Sequence, residues 1–211
     1  MNVSILRILQ DQQRDLPAAP SPRARRHSGR IPNEFYPTPP EATLALLSAE
    51  RFDGGIWEPA CGDGGISNVL KSEGHRVIET DLVDYGVGRP GVDFLATDRP
   101  LAKHIVTNPP YGFGLADRFV LKALDHCAVT GGKVAMLLNL QSLCHPSRLQ
   151  FWLETKPSVI YALDHIVCWP KSGYGLPPPH FIKHRYCWVV WEQESQDETQ
   201  FQWLSATAFK R

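Results

Sequence analysis

Near the middle of the chain an amide, two prolines and a phenol, Asn108-Pro109-Pro110-Tyr111, follow directly on the β-branched run Ile105-Val106-Thr107. Such a run reads as a buried strand, and two consecutive prolines end it because neither can donate to a sheet ladder. The tetrapeptide therefore sits at the carboxyl end of a strand, where open α/β sheets bind their ligands. Its side chains and carbonyls are hydrogen-bond acceptors held stiff by the prolines.

Two further groups belong to the same crevice. "EPACGDGG" breaks a short strand at Pro59 and Ala60 and turns on Gly62 and Gly64, which can adopt backbone angles closed to other residues and let a ligand approach the backbone at a helix start. Glu58 precedes that turn and Asp81 closes the next strand about 20 residues on, the spacing of a ribose-binding carboxylate. The lysine of a triphosphate-binding loop is missing, and Gly62-x-Gly64-Gly65 is not the full dinucleotide fingerprint. A pocket rich in carboxylate and poor in phosphate ligands suits a positively charged cofactor. S-adenosylmethionine carries both a sulfonium and an ammonium.

Strands alternating with helices must position these groups. Strands are expected at Ile56-Trp57, "HRVIETDL", "KHIVTN", "KVAMLLNL", "SVIYALDHIVCW" and "HRYCWVVWE", with "GVDFLATD" as a short third strand or its exit loop. Helices are expected after Thr38-Pro39-Pro40, through "ISNVLKSEG", through "LADRFVLKALDHCAV" and through "PSRLQFWLETK". "FQWLSATAFK" fits either an edge strand or a docked tail. The fold class is α/β, a Rossmann-like, mostly parallel seven-stranded sheet with helices on both faces.

At 211 residues one well-filled domain is expected, over 34–211, behind a basic arm over 1–33. Residues 1–30 hold six Arg against two Asp, a surplus of four, although the formal charge of the whole chain is zero. An arm of this kind, containing Arg25 and Arg26, cannot bury enough apolar surface to fold alone and suits a polyanion. "MNVSILRILQ" lacks a charged n-region and reads as a short amphipathic helix or disorder. No run of about 18 apolar residues exists to span a membrane. Five scattered cysteines without a CxxC pair fit reduced thiols in a cytoplasm. His165-x-x-Cys168 and His180-x-x-x-His184 with Cys187 have poor zinc spacing, and no metal is expected.

With these residues in place, the chain resembles the class I S-adenosylmethionine-dependent methyltransferases, and more narrowly the DNA adenine amino-methyltransferases of bacteria and phages. "FYPTP" is similar to their N-terminal cofactor motif, "EPACGDGG" to the glycine motif, "ETDL" to the ribose-binding acid, "VDFL" to the adenine-pocket motif and "NPPY" to the catalytic motif. The resemblance implies cofactor binding by Tyr36, Thr38, Glu58, Pro59, Ala60, Gly62, Gly64, Asp81, Leu82, Asp93, Phe94 and Asn108, and catalysis by Asn108, Pro109, Pro110 and Tyr111. It departs at Asp63, where many relatives have Ser. Residues 115–211 also leave no room for a separate target-recognition domain, so relaxed or short sequence specificity is expected.

The catalytic motif then has a physical reading. The lone pair of an exocyclic adenine amine is delocalised into the ring. The Asn108 side-chain carbonyl and the Pro109 backbone carbonyl, both aimed at its N–H bonds, would draw the nitrogen towards tetrahedral geometry. Tyr111 would stack on a base rotated out of the duplex. Phe113 and the loop residues Lys171, Tyr174, His180 and Lys183 mix cations and aromatics as a nucleic-acid path does. DNA is the expected partner, with RNA as the variant, and a monomer is expected. Cytosine, an RNA base or a protein glutamine offers the same kind of amine, and a silent nucleic-acid binder that kept the fold is the rival of another class. "YPTP" ahead of the glycine turn leans towards DNA adenine, and cytosine enzymes more usually show serine in place of Asn108.

Overall fold

A computed structural model describes residues 35–168, 184–192 and 198–210, apart from the Phe113 side chain. Arg25, Arg26, Lys171, Tyr174, His180 and Lys183 lie outside the described residues, as does the expected N-terminal helix.

The first helix, α1 (Pro40–Ala49), starts where proline is pre-set for a helical first turn and leads into β1 (Ile56–Glu58). After the glycine turn come α2 (Ser67–Ser72) and β2 (Val77–Glu79), then β3 (His104–Thr107). The long α3 (Leu115–Thr130) ends at Gly131, whose φ of 65° satisfies the left-handed cap, and β4 (Val134–Asn139) follows. Two short helices, α4 (Leu140–Leu143) and α5 (Leu149–Thr155), precede β5 (Val159–Leu163), β6 (Tyr186–Trp191) and β7 (Gln200–Leu204).

The seven strands form one sheet in the order β2-β1-β3-β4-β6-β5-β7. β6 runs antiparallel to both its neighbours, and every other pairing is parallel. Strand side chains alternate between faces, and the core divides accordingly. Ile56, Val106, Ala135, Leu137, Trp188 and Val190 face α1 and α2. Trp57, Ile105, Val134, Met136, Leu138, Cys187 and Val189 face α3 and α5. Helices on both faces bury the central strands β1, β3, β4 and β6, as a largely parallel sheet requires, while the edge strands β2 and β7 stay partly or largely exposed.

The structure decides two segments that the sequence left open. "VDFL" forms no strand: Phe94–Ala96 is one turn of 3-10 helix capped by the Asp93 carboxylate, which accepts from Leu95 N–H at 3.0 Å. Phe94 turns into the core between Trp57, Phe119 and His126, a burial no edge strand would give it. "FQWLSATAFK" satisfies both expectations, because β7 is the edge strand and Phe209, in the 3-10 turn after it, packs on the α1 side of the core. Asp164 ties that tail down, accepting from Ser205 and Thr207 hydroxyls and from Ala206 and Thr207 backbone N–H.

Candidate active site

The site is built at the carboxyl ends of β1, β2 and β3. The glycine turn after β1 is closed by Asp81: its Oδ2 accepts from Gly62 N–H at 2.9 Å, and its Oδ1 accepts from Val83 N–H at 2.9 Å. Gly62 and Gly64 have φ of 51° and 86°, where an L side chain is strained. A Cβ on Gly62 would collide with the Phe35 ring, which stacks on Tyr85 at 4.3 Å between centroids. A Cβ on Gly65 would stand 2.7 Å from the Thr38 carbonyl oxygen. The glycines thus let the "FYPTP" segment lie directly on the turn. Leu82, next to Asp81, is 64% exposed and gives the rim an apolar surface.

Glu58 ends β1 at 1% exposure, and its Oε2 has no hydrogen-bond partner; neither has the Oγ of Ser67, the buried first residue of α2. Burial of Glu58, opposed by Ser67 beside it and reinforced by the carboxylates of Glu79 and Asp81, pushes its pKa well above the ordinary carboxyl value and favours the neutral form. The same burial and the same acids push the Cys61 thiol up to about 12, leaving it inert. A buried orphan oxygen is a costly feature that a ligand cation would relieve.

At the end of β3 the Asn108 amide is fixed on both sides. Its Nδ2 donates to the Tyr36 carbonyl at 3.3 Å and to Thr38 Oγ1 at 3.1 Å. Its Oδ1 accepts from the Tyr111 hydroxyl at 2.6 Å, and that hydroxyl lies 2.8 Å from the Leu137 carbonyl on the neighbouring β4. A backbone carbonyl can only accept, so Tyr36 determines which end of the amide is nitrogen. The Tyr111 ring packs against both core clusters. Rigid prolines stand on one side of it and Gly112 and Gly114 on the other, the latter at φ 71°.

The structure therefore brings together Tyr36, Thr38, Glu58, Pro59, Ala60, Gly62, Gly64, Asp81, Leu82 and the whole Asn108–Tyr111 motif. Phe94, at 2% exposure, packs its ring among three aromatic neighbours in the core. Asp93 stays exposed, with one oxygen engaged by Leu95. Sequence reasoning missed the Phe35–Tyr85 stack, Ser67 beside Glu58, and the Leu137 carbonyl behind Tyr111. Phe35 and Tyr85 adjoin recognisable motifs, which was their one available signal. Among the described residues no three His, Cys, Asp or Glu side chains gather as metal ligands do.

This is the fold of the class I methyltransferases, a Rossmann-like mixed sheet of seven strands. No family model and no curated protein matches the sequence. Among solved structures, the chain is similar to a Listeria monocytogenes protein assigned as a class I S-adenosylmethionine-dependent methyltransferase, with 12% identity and a TM-score of 0.54 over 86% of this chain and 69% of that one. It is also similar to a methyltransferase subunit of a type I restriction-modification system from Streptococcus thermophilus, at 13% identity and TM-score 0.51 over 78% of this chain. A third is a modification subunit assigned to a type I restriction enzyme from Vibrio vulnificus, at 15% identity and TM-score 0.50 over 85% of this chain. The chain spans 45% and 49% of the length of those two subunits.

Proposed function

We propose that this chain is an S-adenosylmethionine-dependent methyltransferase acting on the exocyclic amino group of adenine in DNA, with relaxed or short sequence specificity. The observation that carries the reading is the placement of an Asn-Pro-Pro-Tyr turn at the end of β3, beside a glycine turn flanked by one buried carboxyl with an unpartnered oxygen and one carboxylate tied to the backbone. The residues fit the cofactor. Glu58 Oε2 would receive its ammonium, each Asp81 oxygen keeps a lone pair for a ribose hydroxyl, and Gly62 and Gly64 admit it against the backbone. Leu82 and Asp93 would border its adenine. When bound, S-adenosylmethionine supplies an electrophilic methyl group on a sulfonium.

Asn108 Oδ1 and the Pro109 carbonyl accept from the two N–H bonds of the substrate amine, localise its lone pair and hold it in line for transfer. The Tyr111 hydroxyl must leave Asn108 Oδ1 for that geometry to form, and the glycines after it supply the hinge while the prolines keep Asn108 still. The freed ring then covers the flipped base and excludes water. An amide is no base, so the surplus proton departs to solvent after transfer. Arg25, Arg26, Phe113, Lys171, Tyr174, His180 and Lys183 are proposed to meet the nucleic acid. The restriction-modification neighbours favour DNA over a protein glutamine. Incubation with labelled donor and unmethylated DNA or RNA, digestion to nucleosides and mass spectrometry decides the substrate: N6-methyl-2′-deoxyadenosine from DNA is expected, and label in cytosine, RNA or protein alone refutes adenine in DNA.

A further inference from the structure

We infer that Thr38 is a positioning residue for Asn108, holding the catalytic amide in the orientation that the Tyr36 carbonyl dictates, rather than a ligand of the cofactor. The inference rests on the reading of Asn108 as the acceptor of the amine.

An asparagine amide is nearly symmetric in shape, and its two ends differ only in their hydrogen bonding. Presented with Oδ1 forward it can accept from a substrate N–H; presented with Nδ2 forward it places donor against donor and opposes the reaction. The neighbours therefore determine activity. On the rear side, Tyr36 offers a carbonyl at 3.3 Å, close to the long end of useful hydrogen bonds, while Thr38 Oγ1 accepts at 3.1 Å. On the front side, the Tyr111 hydroxyl currently fixes Oδ1 at 2.6 Å, but it must withdraw when a base arrives. From then on the rear contacts alone hold the amide, and Thr38 supplies the shorter of the two.

The placement of Thr38 is itself built in. Its backbone carbonyl would stand 2.7 Å from a Cβ at Gly65, so only a glycine there allows the segment to come so near. Thr38 is 6% exposed, and Pro39 and Pro40 behind it restrict its backbone at the start of α1. The third glycine of the turn thereby gains a role without any cofactor contact: it seats a residue that holds Asn108 in its orientation. The "FYPTP", glycine and catalytic motifs meet at this one side chain.

The test compares full-length wild type, Thr38→Val and Thr38→Ser. Thr38→Val keeps the shape and deletes the acceptor; Thr38→Ser restores it. Calorimetry with S-adenosylmethionine and steady-state transfer to unmethylated DNA are measured for each, with thermal melting to verify folding. Expected for Thr38→Val are a cofactor Kd and a KM for DNA within about twofold of wild type and a kcat lowered about tenfold, the worth of one hydrogen bond, with recovery in Thr38→Ser. An unchanged kcat in Thr38→Val, a cofactor Kd raised in step with the lost activity, or no recovery in Thr38→Ser overturns the inference. Wild type that methylates no nucleic acid refutes the proposed function instead. In that event the Asn108 side-chain amide protons, assigned by their loss in Asn108→Ala, still decide the orientation claim: faster solvent exchange in Thr38→Val sustains it, and unchanged exchange overturns it.

Discussion

Replacing Glu58 by glutamine should make the empty protein more stable and the loaded one less so. The carboxyl is 1% exposed, lacks a partner for Oε2, and is shifted well above its ordinary value of 4.5 chiefly by burial. For an acid raised on folding, the sign is fixed. Its contribution is fully present below the unfolded value and is lost as pH rises towards the folded one, at about 1.4 kcal/mol per pH unit, because the unfolded chain ionises there and the folded one does not. Glutamine has the same shape and no ionisation, so Glu58→Gln removes that slope. Urea melts at a series of pH values from 4.5 upwards should show Glu58→Gln gaining on wild type in stability as pH rises, since the opposite slope from His126 below pH 6.5 is common to both proteins. Calorimetry with S-adenosylmethionine should show the reverse ranking: wild type releases a proton on binding, seen as a heat that varies with buffer ionisation enthalpy, and the variant binds about tenfold or more weakly with no release. A variant with the same pH slope as wild type, or undiminished cofactor affinity, refutes the reasoning.

Three further outcomes follow from particular contacts. Gly62→Ala meets the Phe35 ring at a φ of 51°, so a stability loss of about 1–2 kcal/mol in urea melts and weaker cofactor binding are expected; near-neutral behaviour would mean the turn has room to spare. Tyr111→Phe keeps the ring but frees Asn108 Oδ1, so hydrogen exchange across residues 111–114 should quicken and the KM for DNA should fall, both measurable by mass spectrometry and initial rates. His126 is lowered to about 4, mainly by burial, and its Nε2 lies 2.8 Å from Thr97 Oγ1. A group lowered on folding stabilises above its unfolded value, so wild type should lose stability relative to His126→Phe at about 1.4 kcal/mol per unit as pH drops from 6.5 towards 4 in acid melts.

The strands were readable because their residues alternate or run apolar without interruption: Ile56-Trp57 and Ile105-Val106 divide between the two core layers just as a period of two requires. "VDFL" stayed open between strand and exit loop because Phe94 satisfies an apolar pattern equally well as a core anchor, and its aromatic partners, Trp57, Phe119 and His126, come from distant parts of the chain. In the site, glycine and proline were informative since they punctuate the backbone directly. Hydrogen-bond partnership was not. That Thr38 holds Asn108 from 70 residues away, and that Tyr111 bridges to the Leu137 carbonyl, depends on the sheet order β1-β3-β4, which no local pattern encodes.

The central claim is that Asn108 activates a substrate amine by accepting from it, and single-turnover methyl transfer by Asn108→Ala tests it most directly. With S-adenosylmethionine and unmethylated DNA both saturating, the account predicts a rate reduced at least about a hundredfold, while the cofactor Kd stays within a few-fold of wild type. A variant that transfers methyl at the wild-type rate would contradict it.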